Sequence, residues 1–203
     1  MHDATFQCVE LTTVPYSVEL DDVSSFLGVG SVSIGIHDGC LMNDGIQKLS
    51  KAAQSVQDAL SRKGLALTVV ELSDSTRTAE EAARAIGCTV AQIVKALVFR
   101  TKSTARPILV LASGPNRVNE RSIAERVGEP IVKADAQFVR DATGFAIGGI
   151  PPIGHRQPLE TFIDEDLTAH REVWAAAGTP HAVFRLAGDD LQALTNGTVI
   201  SLR

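Results

Sequence analysis

Between Leu65 and Leu202, short β-forming runs alternate with helical segments that stop at glycine, and the intervals between the runs are irregular. A repeated strand–helix–strand array needs regular spacing, so this pattern argues against one. It predicts an α+β fold, a mixed sheet curled like a barrel with helices outside it. Leu65 to Leu72 reads as a strand. Thr78-Ala79-Glu80-Glu81 has the form of a capping box opening a helix that stops at Gly87. Thr89 to Gln92 reads as a turn leading into Ile93–Arg100, an apolar run interrupted by Lys95, and Ile108 to Ala112 reads as a buried strand. Asn119 caps a helix over Glu120–Val127 and Asp135 one over Ala136–Ala142, with Gly128 and Gly144 as their stops. Leu159 to Ile163 is expected as a strand, and Leu167 to Ala177 as a helix closed by Gly178. Strands over Val183–Leu186 and Val199–Leu202 flank a helix over Asp189–Thr195 that Gly197 ends.

The first 41 residues differ in kind. They hold six acidic side chains and no Lys or Arg, are rich in Ser, Thr and Gly, and show no sustained period. Residues 1–41 are therefore expected to be a disordered acidic extension. A helix begins after Met42, with Asn43 or Asp44 as N-cap, Ile46, Leu49, Ala53, Val56 and Leu60 on one face, and Gly64 just past its end. The expected domain thus spans residues 42–203. Removing the extension leaves 18 acidic against 19 basic side chains, so the overall charge of -5 is no objection to a nucleic-acid partner. Aromatic residues are 4% of the chain. The core must then be aliphatic, and a broad aromatic stacking platform for single strands is not expected. Three scattered cysteines build neither a disulfide framework nor a zinc site. No metal or other cofactor is expected. Without a long apolar run or a signal peptide at the start, no membrane partner is expected and the cytosol is the default compartment.

Lys95 is the residue most suggestive of chemistry. It lies in Gln92-Ile93-Val94-Lys95-Ala96-Leu97-Val98-Phe99, where alternation leaves open which face it takes. On a solvated face it is an ordinary surface lysine. In a pocket it is a rigidly mounted cation for a phosphate or a developing oxyanion. The segment Gly148-Gly149-Ile150-Pro151-Pro152-Ile153-Gly154 joins permissive glycines to stiff prolines. It is either a tight connection or a loop whose N–H groups surround an anion or carbonyl oxygen. No Gly-Lys-Ser/Thr ending follows, so it is not a nucleotide-binding P-loop. His155 follows it as a candidate base, and Asn116 closes the turn Ser113-Gly114-Pro115-Asn116. Cys88 has no activating neighbour, His170 and His181 lack partners at metal-ligand spacing, and no Gly-x-Ser-x-Gly elbow is present.

Three segments in order resemble the YbaK/EbsC family, the prolyl-tRNA synthetase-associated editing domain. They are the Lys95-bearing run, Thr143-Gly144-Phe145-Ala146-Ile147-Gly148-Gly149-Ile150-Pro151-Pro152-Ile153-Gly154, and Phe162-Ile163-Asp164-Glu165-Asp166-Leu167. The resemblance covers Met42 to Arg203 and none of residues 1–41. It implies a mainly antiparallel, barrel-like sheet and an aminoacyl-tRNA deacylase acting in trans. Lys95 matches the family's strand lysine, implied to lie near the terminal adenosine and its phosphate. Gly148 and Pro152 match its Gly-x-x-x-Pro loop, implied to shape the aminoacyl pocket, and Ile153 stands where the family often has Phe. Lys95 and Gly149 are the expected catalytic residues. Gly148, Ile150, Pro151, Pro152, Gly154, His155 and Asn116 are the expected substrate contacts. The implied partner is the 3′ acceptor end of aminoacyl-tRNA, with an aminoacyl-tRNA synthetase as a further candidate and no DNA.

An aminoacyl ester is already activated, so positioned water and oxyanion donors suffice and no Ser–His–Asp set is needed. Two other readings stay open: a module that binds the aminoacyl-tRNA 3′ end or a small amino-acid adduct without hydrolysing it, and a Schiff-base enzyme using Lys95.

Overall fold

Ser50 caps the helix that carries Ala53, Val56 and Leu60. Its hydroxyl accepts the Ala53 N–H, while residues 48–50 are not helical. The computed structural model describes residues 48–73 and 78–202. The expected extension, residues 1–41, and the expected helix start at Met42 lie outside the described residues. Helix α1 (Lys51–Arg62) buries Ala53, Val56, Ala59 and Leu60, and Gly64 takes a positive φ just past its end.

Strand β1 (Val69–Glu71) is followed by α2 (Ala79–Ile86). Both halves of the α2 capping box form, Thr78 accepting the Glu81 N–H and Glu81 the Thr78 N–H. A 3-10 turn over Val90–Gln92 leads into β2 (Ile93–Thr101), which returns as β3 (Pro107–Ser113). Helix α3 (Glu120–Val127), strand β4 (Ile131–Lys133) and helix α4 (Ala136–Thr143) follow. Asn119 and Asp135 cap the two helices and Gly128 and Gly144 end them in the left-handed region, as their positions predict. After the long loop come β5 (Glu160–Asp164), a four-residue α5 (Glu165–Thr168), β6 (Val173–Ala176), β7 (Ala182–Leu186), α6 (Asp190–Thr195) and β8 (Thr198–Ile200).

The helix expected over Leu167–Ala177 is not there. Its second half is β6, with Val173 and Ala175 buried and Trp174 and Ala176 half-buried, a two-residue alternation that pairs with both β2 and β7. The apolar positions fit a helical period, but β-branched and aromatic residues at 173 and 174 favour the pleated surface that tertiary pairing offers. Gly178 (φ +92°) turns the β6–β7 hairpin instead of closing a helix. Strand β4 has no counterpart among the strands expected from the sequence.

The sheet runs β1-β7-β6-β2-β3-β5-β8, with β4 also on β2. Its ends, β1 and β8, are not paired to each other. Four of its seven pairings are antiparallel, and β2–β6, β3–β5 and β5–β8 are parallel. The expected mixed α+β architecture is present.

Period two sorts β3 between two cores. Leu109 and Leu111 join the cluster that includes α1 and Ile150; Ile108, Val110 and Ala112 join Ile123 of α3 on the other face. On β2, Val94, Ala96 and Val98 belong to the first cluster and Phe99 to the second. That parity settles the side open in the sequence: Lys95 and Leu97 share the face of Phe99.

Candidate active site

The β2 edge away from β3 is split between two strands. β6 pairs with it at Ile93 and Val94, and β4 at Phe99, Arg100 and Thr101, with the Ala134 N–H donating to the Val98 carbonyl. Between them, among the described residues, Lys95, Ala96 and Leu97 pair with β3 alone, opposite Ala112, Leu111 and Val110. A strand edge left open inside a sheet is a place where a ligand can approach the backbone.

Two cavities meet at this opening. The first, about 400 Å³, is lined by Glu80, Ile86, Ile93, Trp174 and Gly148 among others. The second, about 460 Å³, is lined by Asn116, Arg117, Glu120 and Lys133. Lys95, Ala96, Leu97, Ile147 and Ile150 line both. Leu97 and Ile147 are exposed apolar side chains, Ile147 at 59%, and they form the lip between the cavities.

Lys95 is half-buried, and its Nζ donates to the Asn116 carbonyl oxygen at 2.6 Å. Burial pulls its pKa below the ordinary lysine value; Glu80 and Asp164 oppose that and Arg117 adds to it. The loop carrying Asn116 is fixed from several sides. The Asn116 side-chain amide donates to Asp164 at 2.8 Å and Asp166 at 2.7 Å, the Ser113 N–H donates to the buried Asp164, and the Ser113 hydroxyl donates to the Ala91 carbonyl. A Cβ at Gly114 would lie 2.0 Å from the Val90 carbonyl oxygen, so the turn admits only glycine there. Asn116 is thus a positioning residue as well as a cavity wall, and Asp164 and Asp166, which sequence reasoning does not single out, hold it.

The loop from Gly144 to His155 is closed at its base, where the Arg156 N–H donates to the Thr143 carbonyl. Buried Thr143 accepts the Phe145 N–H, and Ile150, Pro151, Pro152 and Ile153 are all buried. Of the expected loop contacts, Gly148 and Ile150 line a cavity, whereas Gly149, Pro151, Pro152, Gly154 and His155 do not. Gly149 is engaged elsewhere. Its N–H donates to Ala146, its carbonyl accepts the Gly178 N–H at 2.8 Å, and a Cβ there would come within 2.7 Å of Thr179 backbone. Its backbone therefore joins the loop to the β6–β7 turn and offers no free donor. By contrast, the Gly148 and Ile150 N–H groups have no hydrogen-bond partner among the described residues. His155 is half-buried; its Nε2 donates to the Pro151 carbonyl at 2.8 Å and its ring stands edge-on to Phe145. Desolvation holds its pKa below the usual histidine value, against the opposing bond to Pro151. His155 is thus tied within the loop through Nε2 and lines neither of the two cavities.

Among the described residues, no group of His, Cys, Asp or Glu is arranged to hold a metal, and no helix is long and apolar enough to cross a membrane. The arrangement offers a fixed cation, unengaged N–H groups and two adjoining cavities.

The family model for the aminoacyl-tRNA editing domain matches residues 73–194. A solved structure provisionally described as a trans-editing enzyme for prolyl-tRNA synthetase superposes with a TM-score of 0.73 at 49% identity, over 77% of this chain and 99% of that one. EbsC of Enterococcus faecalis, provisionally named a Cys-tRNA(Pro)/Cys-tRNA(Cys) deacylase, is 26% identical over 62% of this chain and 76% of its own length. A proline–tRNA ligase of Limosilactobacillus fermentum is 31% identical over 44% of this chain, a stretch that spans 16% of the ligase.

Proposed function

Since the chain belongs to the aminoacyl-tRNA editing domain family, we propose that it is a cytoplasmic, trans-acting deacylase for misacylated tRNA, with tRNA for proline its first candidate substrate. The carrying observation is the position of Lys95, fixed by the Asn116 carbonyl where the two cavities meet. In this reading the aminoacyl group enters the first cavity, whose walls Ile86, Ile93 and Trp174 contact its side chain and whose Glu80 accepts its ammonium group. The terminal ribose lies over Lys95. The 3′ acceptor end is thus the part of the tRNA that the site takes, and a prolyl-tRNA synthetase is the candidate supplier.

Water attacks the ester carbonyl carbon, the acyl–oxygen bond breaks, and the water proton passes to the departing ribose oxygen. Charge grows on the carbonyl oxygen, so donors already aimed there lower the barrier. The unengaged N–H groups of Gly148 and Ile150 are the candidates for that task, in place of Gly149. Lys95 supplies a positive charge that forms no ion pair with a carboxylate among the described residues, kept for the substrate's anionic backbone.

Deacylation of a panel of misacylated tRNAs tests this. Release of one or a few amino acids from tRNA for proline, with correctly charged tRNA spared, is expected. Tight binding without release across the panel would overturn the enzymatic reading and favour a module that only holds the aminoacyl-tRNA 3′ end.

A further inference from the structure

The second cavity carries more positive charge than hydrolysis of an ester needs. Lys95, Arg117 and Lys133 all line it, with Glu120 the one carboxylate on its wall among the described residues. Arg117 and Lys133 are exposed, and neither forms an ion pair with a described residue. They come from different elements, Arg117 from the turn after β3 and Lys133 from the end of β4. Pairing of β4 with β2 sets Lys133 opposite Phe99, and the Asn116 network sets Arg117 beside Lys95. The lip shared with the first cavity is apolar, made of exposed Leu97 and Ile147. Cations around a hollow with an apolar lip suit a nucleotide, with phosphate against the charges and base against the aliphatic lip.

We infer that this second cavity is the binding site for the sugar–phosphate that leads into the 3′-terminal nucleotide, with Arg117 and Lys133 as its phosphate-binding residues. The inference rests on the editing reading for which end of the RNA enters, and it adds a subsite beyond Lys95. Like charges left unpaired side by side repel each other, and a phosphodiester between them removes that repulsion. Binding through this site must therefore be salt-dependent.

The test is the affinity of the full chain for an uncharged acceptor-stem hairpin ending in a single-stranded CCA, read by fluorescence anisotropy from low to moderate salt. Arg117→Gln with Lys133→Gln should weaken binding about tenfold or more. It should also flatten the slope of log affinity against log salt by about one for each phosphate that is no longer neutralised. Arg62→Gln with Lys63→Gln at the C-terminal end of α1, which line neither cavity, removes the same charge and should weaken binding less than twofold. Equal losses from both double variants would reduce the effect to the general field and overturn the subsite, as would wild-type affinity in the Arg117/Lys133 variant. Binding is read without turnover, so a chain that binds the hairpin through these residues but leaves esters intact overturns the deacylase reading alone.

Discussion

Lys95 donates an ammonium hydrogen bond to the main-chain carbonyl of Asn116 at 2.6 Å, while the Asn116 side chain is tied to Asp164 and Asp166. The cation is therefore held by a neutral group. The carboxylates that organise the site sit one residue further back. Had a carboxylate held Lys95 directly, its charge would be neutralised before any substrate arrived. An anion reaching the opening instead meets a cation that is already oriented.

Asn116→Ala removes two donors from the carboxylates and frees the turn. Leaving the buried Asp164 with fewer partners should cost about 1–3 kcal/mol, and the looser perch of Lys95 should lower kcat/KM. Urea unfolding and deacylation kinetics on the same preparation check both. Wild-type values in both would show that Lys95 is positioned by β2 alone.

Gly148 and Gly149 should respond differently to alanine. At Gly149 the added Cβ meets Thr179 backbone at 2.7 Å, so the loop or the β6–β7 turn must move, at about 1–3 kcal/mol. At Gly148 there is space, with Pro180 Cγ 3.9 Å away, but φ is +95° and an L side chain is strained there by about 1–2 kcal/mol. Relaxing that strain would turn the Gly148 N–H. Gly149→Ala is thus expected to lose mainly melting temperature, and Gly148→Ala to lose turnover out of proportion to its stability. The reverse ranking would put the oxyanion donor at Gly149.

His155 makes stability depend on pH. Its pKa is depressed in the folded chain by burial, so the unfolded chain binds the extra proton more readily. Its contribution is complete above the unfolded value of about 6.5 and is lost as pH falls from there through the lower folded value. The melting temperature should drop between pH 7 and pH 5 by more in wild type than in His155→Gln. Parallel curves for the two would remove His155 as the cause.

Much of this architecture can be read from residue order. The caps at Thr78, Asn119 and Asp135 and the stops at Gly87, Gly128 and Gly144 are local chemistry, decided within a few residues, and each forms as expected. Val173-Trp174-Ala175-Ala176 reads as helix in the sequence because only its pairing with β2 and β7 decides between two periods. β4 is three residues long and exists through its partner on β2. Within the site, Lys95 and the Gly148 loop are visible as a motif, but the direction of Lys95 and the engagement of Gly149 depend on long-range contacts, and the bond from His155 to Pro151 depends on a loop shape that residue order does not display. Arg117 and Lys133 carry no signal, since nothing in the chain order says they share a cavity.

Residues 1–41 are expected to be dispensable, on their acidic bias and lack of period. A chain begun at Met42 should keep its melting temperature and its deacylase activity, and bind tRNA slightly more tightly at low salt with six negative charges gone. Calorimetry and the hairpin assay compare the two lengths. Aggregation or a loss of several degrees would make that segment part of the fold.

In the proposed reaction Lys95 works on substrate and does not merely occupy a surface. Truncating this half-buried side chain leaves no packed void, so folding should be nearly unaffected. The decisive measurement is kcat/KM of Lys95→Ala on the misacylated tRNA that wild type hydrolyses best, beside its melting temperature. A fall of about tenfold to a thousandfold at an unchanged melting temperature is predicted, the range for removing a charge-assisted interaction at the reacting end. Full activity in the folded Lys95→Ala chain would contradict that role.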